Sequence, residues 1–384
     1  MVRKIAVITG TRAEYGILKP LLERIASSDK LELQLYVIGL HLLSEYGNTL
    51  NEILHDGFTH PNTVKMYNSR YTRGYHAKGL GNGISRFSYE FSKSNPDLLI
   101  VFGDRLEPFA ATLAAATLNI PIVHIHGGDK TDSGHIDENI RYSISKFAHL
   151  HFTATTEHTN RLIRMGEQPW RIHQVGALGL DSIKQGKFLS KSQLSKKLSA
   201  HLGEMYIVCL FHPINSQKDL AQRHMHELLT SLLNLSLQLI LIYPNNDTGS
   251  EKIIEEIENA RKLPNITIFK NLEHNDYLNL LKYSSLLIGN SSSGIIEASS
   301  FKIPVINVGI RNLGRDSAAN TIFINPARDE IHAAIKYVLT DEQFKQTLNQ
   351  VKNPYGDGRA SQRIINILNT IVIDEQFLKK INTY

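Results

Sequence analysis

The sequence predicts an α/β fold made of two Rossmann-like domains, and two observations support this prediction. Short apolar runs alternate along the chain with amphipathic segments of helical period, which is typical of parallel β-α-β units. Segments Leu98–Gly127 and Leu286–Gly309 also resemble each other, because each predicts a strand, a polar turn, a helix of small residues and a strand preceded by Ile-Pro. They begin about half a chain length apart, as two similar domains would.

The individual elements follow from the hydrophobic period. The second half opens on the apolar run Tyr206–Phe211, and Ile364–Ile373 has the spacing of a final helix. The first elements are predicted to be a buried strand, a turn, a helix and a second strand, at Lys4–Thr9, Gly10–Gly16, Ile17–Ser27 and Leu33–Gly39.

The boundary between the domains is predicted within Gly176–Ala200. We expect an N-terminal domain of residues 1–180, a C-terminal domain of residues 181–363 and a helical segment of residues 364–384. Functional loops in such domains follow the carboxyl ends of the strands. Two domains facing each other across a cleft would bring these loops together, and a cleft of this kind is a common ligand site.

Composition excludes several classes of protein. With 384 residues, of which 42% are hydrophobic and 21% charged, the chain is not disordered, collagenous or a coiled coil. Its apolar runs are far shorter than the ~18 residues of a membrane span, so no membrane insertion is expected. The N-terminus has no signal-peptide pattern, which predicts a cytoplasmic protein.

Charge and cysteine content narrow the ligand class. A single cysteine, Cys209, excludes an internal disulfide and a cysteine-based zinc site. The net charge of +5 suits an anionic ligand. The basic stretch Lys187–Lys197 indicates a solvated linker or helix face rather than a nucleic-acid site, so no nucleic acid is expected as a partner.

Two segments between a strand and a helix are candidate phosphate sites. Gly10–Gly16 offers backbone N–H groups and Arg12, although an ordinary turn with a surface arginine fits equally well. Asn290–Gly294 places three serines at a helix start, which suits an anion, while one serine would suffice for a helix cap. Glu297 can accept hydrogen bonds from ribose hydroxyls, and Arg311 follows the next strand.

Carboxylates at predicted strand and helix ends are acid–base candidates. Asp104 ends the strand Leu98–Phe102 beside Arg105, a candidate anion ligand, and the alternative is that Asp104 only caps a helix. Asp137 and Glu138 lie at the start of a predicted helix.

Several histidines lie at strand ends. The His124-x-His126 pair predicts either two ligands of a metal hydrolase or histidines buried in a parallel sheet, and the second is favoured. His212 can be a phosphate ligand, a proton carrier or a structural residue. The polar stretch Tyr243–Ser250 can bind sugar hydroxyls or form a turn.

Taken together, nine motifs in this order resemble the hydrolysing UDP-N-acetylglucosamine 2-epimerases of sialic acid biosynthesis, over essentially the whole chain. They are Gly10-Thr11-Arg12-Ala13-Glu14-Tyr15, Gly103-Asp104-Arg105, His124-Ile125-His126-Gly127-Gly128, Ile136-Asp137-x-x-Ile140-Arg141, His212-Pro213, Pro244-Asn245-x-Asp247-x-Gly249-Ser250, Gly289-Asn290-Ser291-Ser292-x-Gly294, Gly309-x-Arg311-x-x-Gly314-Arg315 and Tyr355-Gly356-Asp357-Gly358.

The resemblance implies a GT-B-like fold whose last helix crosses back to the first domain. It implies UDP-N-acetylglucosamine as substrate, UDP and N-acetylmannosamine as products, no cofactor and no metal, and a homodimer or homotetramer. It also implies a free-standing bacterial enzyme of sialic acid and capsule polysaccharide synthesis, because no sugar kinase domain follows.

The resemblance also assigns the site residues. It implies that UDP is held by Arg12, His212, Ser291, Ser292, Gly294, Glu297 and Arg311, and that Arg105, Asn245 and Asp247 line the sugar or phosphate side. The catalytic candidates are Asp104, His126, Asp137, Glu138 and His212.

The chain departs from the family pattern at two positions. Relatives have Glu where this chain has His126, so the role of His126 stays open. The animal enzyme's feedback site has Lys where this chain has Glu251, so feedback inhibition is not carried over.

Four alternative functions remain. The same reaction on UDP-N,N′-diacetylbacillosamine, in legionaminic acid synthesis, uses the same motifs. A non-hydrolysing epimerase is disfavoured by His126. A GT-B glycosyltransferase would need an acceptor pocket, and a non-enzymatic nucleotide-sugar binding protein does not explain so many polar groups at strand ends.

Overall fold

A computed structural model describes residues 2–43, 49–67, 74–131, 136–186, 188–233, 235, 237–244 and 249–384. The chain divides into two compact units. The first contains residues 1–129, 136–184 and 356–384, and the second contains residues 130–135 and 185–355. The chain passes from the first unit to the second after Lys184 and re-enters the first unit at Gly356.

The first unit is built on a parallel sheet that has seven strands within the described residues. Their order is β3-β2-β1-β4-β5-β6-β7. The chain therefore starts in the middle of the sheet, adds β2 and β3 on one side of β1, and then adds β4 to β7 on the other side. The strands are β1 (Arg3–Thr9), β2 (Leu31–Ile38), β3 (Asn62–Val64), β4 (Leu98–Phe102), β5 (Ile122–Ile125), β6 (Leu150–Thr153) and β7 (Ile172–Gln174).

Helices connect these strands and cover both faces of the sheet. Apolar side chains of β1 and β4 alternate between two buried clusters, one on each face, because successive residues of a strand point to opposite sides. The helices are α1 (Arg12–Ala26), α2 (Leu50–His55), α3 (Tyr75–Ser94), α4 (Leu106–Thr117), α5 (Ile136–Phe147), α6 (Thr156–Arg164) and α7 (Gly179–Gln185).

The second unit repeats this plan with a parallel sheet that has six strands in the part of the chain described. The strand order, β10-β9-β8-β11-β12-β13, places each strand where its counterpart lies in the first sheet. The elements are α8 (Lys191–Lys197), β8 (Tyr206–Leu210), α9 (Ala221–Leu233), β9 (Gln238–Ile242), α10 (Ser250–Asn259), β10 (Ile266–Phe269), α11 (His274–Lys282), β11 (Leu286–Gly289), α12 (Ser292–Ile296), β12 (Val305–Val308), β13 (Thr321–Ile324), α13 (Arg328–Thr340) and α14 (Glu342–Gln350).

The similarity between the two sheets includes individual backbone hydrogen bonds. Leu99 N–H donates to the carbonyl of Pro121 at 2.9 Å, and Leu287 N–H donates to the carbonyl of Pro304 at 3.1 Å. Each proline precedes the strand beside the donor, where its missing N–H leaves the ladder intact. The internal similarity predicted from the sequence is therefore confirmed at the level of the backbone.

The C-terminal segment belongs to the first unit. Helix α15 (Ala360–Thr370) packs against α1, and its Ile364 and Leu368 are fully buried in the same apolar cluster as Leu18 and Leu21. The buried carboxylate of Asp181 accepts hydrogen bonds from the backbone N–H groups of Ala360 at 2.8 Å and Ser361 at 2.7 Å. The helix start is thus satisfied by a residue distant in sequence.

A short helix, α16 (Glu375–Leu378), is bonded to one buried arginine of the first unit. Arg171 is fully buried, and its guanidinium donates to the carbonyls of Phe377, Gln376 and Lys379 at 2.7, 3.1 and 3.0 Å. Among the described residues, no helix is long and apolar enough to cross a membrane.

Candidate active site

In the second unit, the loops after β8 and β11 are joined by the buried side chain of Asn290. Its carbonyl oxygen accepts from the N–H of His212 at 2.7 Å, and its amide group donates to the carbonyl of His212 at 2.9 Å. The backbone at His212 is therefore clamped on both sides. The sequence places both residues at strand ends, but gives no signal that they pair across adjacent parallel strands.

The backbone carbonyl of Asn290 is the centre of a second network. It accepts from the guanidinium of Arg311 at 3.1 Å and from the side-chain amide of Asn312 at 2.9 Å. The same amide donates to the side chain of buried Asn307 at 2.8 Å. Asn307 and Asn312 were not predicted as site residues. They fix the loop that carries the serines and Arg311.

The serine segment serves in part as a helix cap. The Ser291 hydroxyl accepts from the N–H of Ser293 at 3.3 Å, as an N-cap does, and the Ser293 hydroxyl accepts from Tyr277 at 2.7 Å. Ser292 is half-buried, with no hydrogen bond from its hydroxyl in the described part of the chain. Gly294 lies where a Cβ would come within 2.9 Å of Val305, so its small size allows α12 to pack on β12.

Glu297 directly follows α12, and its carboxyl group is buried. One of its oxygens, Oε2, has no hydrogen-bond partner among the residues that the structure describes. Burial raises the pKa of Glu297 to about 7, against an opposing hydrogen bond from Ser293. An unpaired buried carboxylate oxygen is unfavourable, so this position suits a ligand that donates hydrogen bonds.

In the first unit, the loop after β1 leads into α1. The Thr11 hydroxyl accepts from the N–H of Glu14 at 3.3 Å and caps the helix, and Arg12 forms an ion pair of 2.7 Å with Glu52. Glu14 is buried, and its pKa is raised to about 8 by burial and by the nearby carboxylate of Glu107. Glu107 in turn lies 3.4 Å from Nε of Arg105.

Asp104 does not cap α4, because the N-cap of that helix is Arg105 and no side-chain cap is present. Its carboxylate forms an ion pair with Arg141 of α5, while one fifth of the side chain stays exposed. Asp137 lies one turn before Arg141 on the same helix, and Glu138 accepts from the hydroxyl of Tyr142 at 3.0 Å. The three predicted carboxylates thus belong to one strand end and one helix.

His126 directly follows β5 and has a strained backbone conformation. Its φ of 67° lies in the left-handed region, which a non-glycine residue rarely adopts, and such strain clusters at functional sites. Its ring lies against Phe102 and His158, with centroid distances of 5.4 and 6.0 Å. His158 Nε2 is 3.3 Å from a carboxylate oxygen of Asp129. His158 was not predicted, since only the fold brings it to His126.

His124 is committed to hydrogen bonds rather than to a metal. It is fully buried, with Nε2 at 2.8 Å from the Gly103 carbonyl and Nδ1 at 2.9 Å from the Ser145 hydroxyl. In the part of the chain described, no group of three or more His, Cys, Asp or Glu residues could hold a metal ion. The predicted sugar-side residues Asn245 and Asp247 lie outside the described residues.

Comparison with known proteins identifies the family. A family model described as UDP-N-acetylglucosamine 2-epimerase matches residues 23–369. The chain belongs to this epimerase family. It is 37% identical over 384 residues, all of both chains, to the hydrolysing UDP-N,N′-diacetylbacillosamine 2-epimerase of Legionella pneumophila. It is 34% identical to the polysialic acid biosynthesis protein P7 of Escherichia coli, over 99% of this chain and 95% of that one.

Solved structures of the epimerase family share the fold. The UDP-GlcNAc 2-epimerase of Neisseria meningitidis, bound to UDP-GlcNAc, is 18% identical, with a TM-score of 0.80 over 95% of this chain and 99% of that one. The predicted fold class, an α/β protein of GT-B-like type with two Rossmann-like units, is confirmed.

Proposed function

We propose that this protein is a hydrolysing 2-epimerase of a UDP-2-acetamido sugar, releasing UDP and the sugar epimerised at C2. The observation that carries the proposal is the Asp104–Arg141 pair in a member of the epimerase family. The Asp104 carboxylate is partly exposed and ends a parallel strand, where substrates of such folds bind. The guanidinium of Arg141 fixes it and stabilises its charge.

The chemistry requires strong stabilisation of the leaving group. The C2 proton of the sugar is barely acidic, because no carbonyl is attached to C2. Departure of UDP from C1, with the electron pair of the C–O bond, creates positive charge at C1 and acidifies the C2 proton. In our proposal Arg12, His212, Ser291, Ser292 and Arg311 bind the diphosphate and stabilise the charge that develops on it.

The ribose is assigned to Glu297. Its unpaired buried oxygen is an acceptor that the hydroxyls of a ribose can satisfy, which supports a nucleotide rather than a simple phosphate as ligand. Gly294 contributes through its lack of a side chain, which keeps the serine segment close to β12.

Acid–base groups complete the reaction. Asp104 is proposed as the base that takes the C2 proton, which gives a 2-acetamidoglycal. Water then adds to C1, and a proton is delivered to C2 from the opposite face. His126, Asp137 and Glu138 are the candidates for these later proton transfers, and Arg105, Asn245 and Asp247 for binding the sugar or phosphate.

The relatives support two candidates for the sugar of the UDP-sugar substrate. N-acetylglucosamine as the sugar, with N-acetylmannosamine as product for sialic acid synthesis, is supported by the similarity to the polysialic acid protein. N,N′-diacetylbacillosamine is supported by the 37% identity to the Legionella enzyme over the full length of both chains. We therefore propose both UDP-sugars as substrates to test, in parallel assays.

Isotope labelling tests the reaction type. Each UDP-sugar is incubated in D₂O and, separately, in H₂¹⁸O, and the products are identified by NMR and mass spectrometry. We expect a free 2-epimerised sugar with deuterium at C2 and ¹⁸O at C1, and unlabelled UDP. The sugar that is released most efficiently is the substrate.

Other outcomes would contradict the proposal. ¹⁸O in the phosphate would mean cleavage of a P–O bond. A UDP-linked epimer without free sugar would indicate a non-hydrolysing epimerase. Free sugar that is not epimerised and carries no deuterium would indicate simple hydrolysis of the kind that a glycosyltransferase site performs.

A further inference from the structure

The turn that presents Asp104 is held by a histidine on the neighbouring strand. Gly103, the residue before Asp104, donates its N–H to the carbonyl of Ile125 at 3.0 Å, and its own carbonyl accepts from Nε2 of His124 at 2.8 Å. That carbonyl belongs to the peptide group between Gly103 and Asp104. Its direction therefore determines where the Asp104 backbone, and with it the carboxylate, is placed.

This turn has little stiffness of its own. Gly103 has a φ of 73°, and a built Cβ would meet nothing within 4 Å, so glycine is used for its backbone conformation rather than for space. Glycine adopts many backbone conformations at similar free energy. The hydrogen bond from His124 is consequently a main determinant of the orientation of the peptide group.

The protonation of His124 follows from its two partners. Burial lowers its pKa to about 3, so the ring is neutral and carries one N–H. A carbonyl can only accept, hence the proton lies on Nε2, and Nδ1 accepts from the hydroxyl of Ser145 at 2.9 Å. Ser145 therefore fixes the tautomer that can bind Gly103.

Helix α5 holds Asp104 at two points. Ser145 lies one turn after Arg141, so both side chains project from one face of the helix. Arg141 binds the Asp104 carboxylate directly, and Ser145 reaches the preceding peptide group through His124. Space around this contact is limited, because a Cβ on Gly127 would come within 2.9 Å of His124 Nδ1 and 3.0 Å of the Ser145 hydroxyl.

We propose that His124 is a positioning residue for catalysis, which orients the Gly103–Asp104 peptide group and is itself oriented by Ser145. This inference rests on the proposed role of Asp104 as the base at C2. His124 itself is fully buried, and no contact with substrate is assigned to it. Its loss should lower kcat while KM and UDP affinity change little, because substrate binding is assigned to other residues.

Two substitutions separate the two nitrogen atoms of the ring. In His124→Gln the amide nitrogen can take the place of Nε2 and keep the bond to Gly103. In His124→Asn the shorter side chain can reach only Ser145, from whose hydroxyl the amide oxygen accepts as Nδ1 does. We expect His124→Asn to lower kcat by ~30- to 100-fold, since a displacement of about 1 Å at a reacting group can cost 10²-fold. His124→Gln should restore kcat to within about 5-fold of the parent.

His151 provides the matched control. It is also fully buried, lies opposite His124 on β6, and its Nε2 is bonded to Glu167 at 3.0 Å. His151→Asn should lower thermal stability without changing the kcat of the folded protein. UDP release from the substrate, UDP affinity by calorimetry and thermal unfolding are measured for every variant.

The outcomes are distinct. Equal kcat for His124→Asn and His124→Gln, whether high or low, would overturn the inference. If neither variant folds, Ser145→Ala decides, with a loss of about 5-fold in kcat expected and an unchanged kcat overturning it. Asp104→Asn tests the proposed function separately, and should lower kcat by ~10²–10⁴-fold. Full activity of that variant would refute the acid–base assignment, whereas an inactive Asp104→Asn with a fully active His124→Asn would refute only the role of His124.

Discussion

At the scale of single residues, Glu297 couples the proposed ribose site to pH. Its folded-state pKa of about 7 lies above the ordinary value of 4.5 because the carboxyl group is buried. The protonated form is therefore favoured by folding. The contribution of this protonation to the free energy of unfolding is fully present below pH 4.5 and is lost as the pH rises through 7. The total loss is about 3 kcal/mol at most.

The Glu297→Gln variant should remove this pH dependence. Relative to the parent, its free energy of unfolding should increase between pH 5 and pH 8, because glutamine does not ionise. Urea denaturation at both pH values measures the difference. Glu342→Gln, at an exposed site, is the control and should show no such trend. A difference between Glu297→Gln and the parent that is the same at both pH values would contradict the prediction.

His124 also bears on the question of metals. Both of its ring nitrogens are bonded inside the first unit, so it has no nitrogen to offer as a metal ligand. We expect full activity after exhaustive treatment with EDTA and removal of the chelator. Activity that is lost and then restored by Zn²⁺ or Mn²⁺, but not by Ca²⁺, would show that a metal is required.

At the scale of elements, the start of α15 depends on a side chain that is distant in sequence but belongs to the same unit. Asp181 is fully buried in the first unit and accepts from two backbone N–H groups of α15 and from the Ser361 hydroxyl. Asp181→Ala leaves these donors unsatisfied. We expect a loss of about 3 kcal/mol or more, because each hydrogen bond to a charged group contributes ~1.5–3 kcal/mol.

Asp374 is the matched control for this prediction. It caps α16 in the same way, accepting from the N–H of Phe377 at 2.8 Å, but at an exposed position. Asp374→Ala should reduce the free energy of unfolding by only about 1 kcal/mol. Equal losses in the two alanine variants, measured by urea denaturation, would show that burial of the Asp181 cap is unimportant.

The predicted strands and helices show how far the sequence predicts the structure. Strand Leu98–Phe102 is found as predicted, and the other predicted strands agree to within about two residues, because buried strands are continuous apolar runs. Helix α15, predicted as the final helix from Ile364, starts at Ala360 because its first turn is polar and its cap lies 179 residues away in the chain. The short helix α16 follows it. Helix α1 likewise starts at Arg12, before its first apolar residues.

In the candidate site, too, local pattern is predictable and contacts between distant segments are not. Residues at strand ends, such as Asp104 and His212, are site candidates on local pattern alone. Their partners are not, because the bonds of Arg141 to Asp104 and of Asn290 to His212 join segments that are far apart in sequence. Only the parallel pairing of the strands brings these segments together.

At the scale of the whole molecule, the two units differ in their dependence on the C-terminus. Arg171 and Glu167 are fully buried charges of the first unit, and their partners include the carbonyls near Phe377 and the ammonium group of Lys380. Residues after Tyr355 are grouped with the first unit and not with the second.

Deletion of residues 374–384 should therefore destabilise the first unit selectively. Removing one partner of a buried charge typically costs 3–5 kcal/mol, so we expect unfolding to separate into two transitions. All the residues to which we assign UDP except Arg12 lie in the second unit, so UDP should stabilise mainly the later transition. Scanning calorimetry with and without UDP measures both effects. Tyr384→Ala, at a largely exposed position, is the control, and a single transition in the deletion variant would contradict the prediction.

The return of the chain to the first unit also has a consequence for synthesis on the ribosome. The seven strands of the first sheet emerge early, but α15, which supplies Ile364 and Leu368 to the core beneath α1, emerges only after the whole of the second unit. At about 5–20 residues per second this delay is roughly 10–35 s. During that time the nascent chain exposes the apolar groove that α15 will fill. The half of the molecule that is made first is therefore the half that finishes folding last.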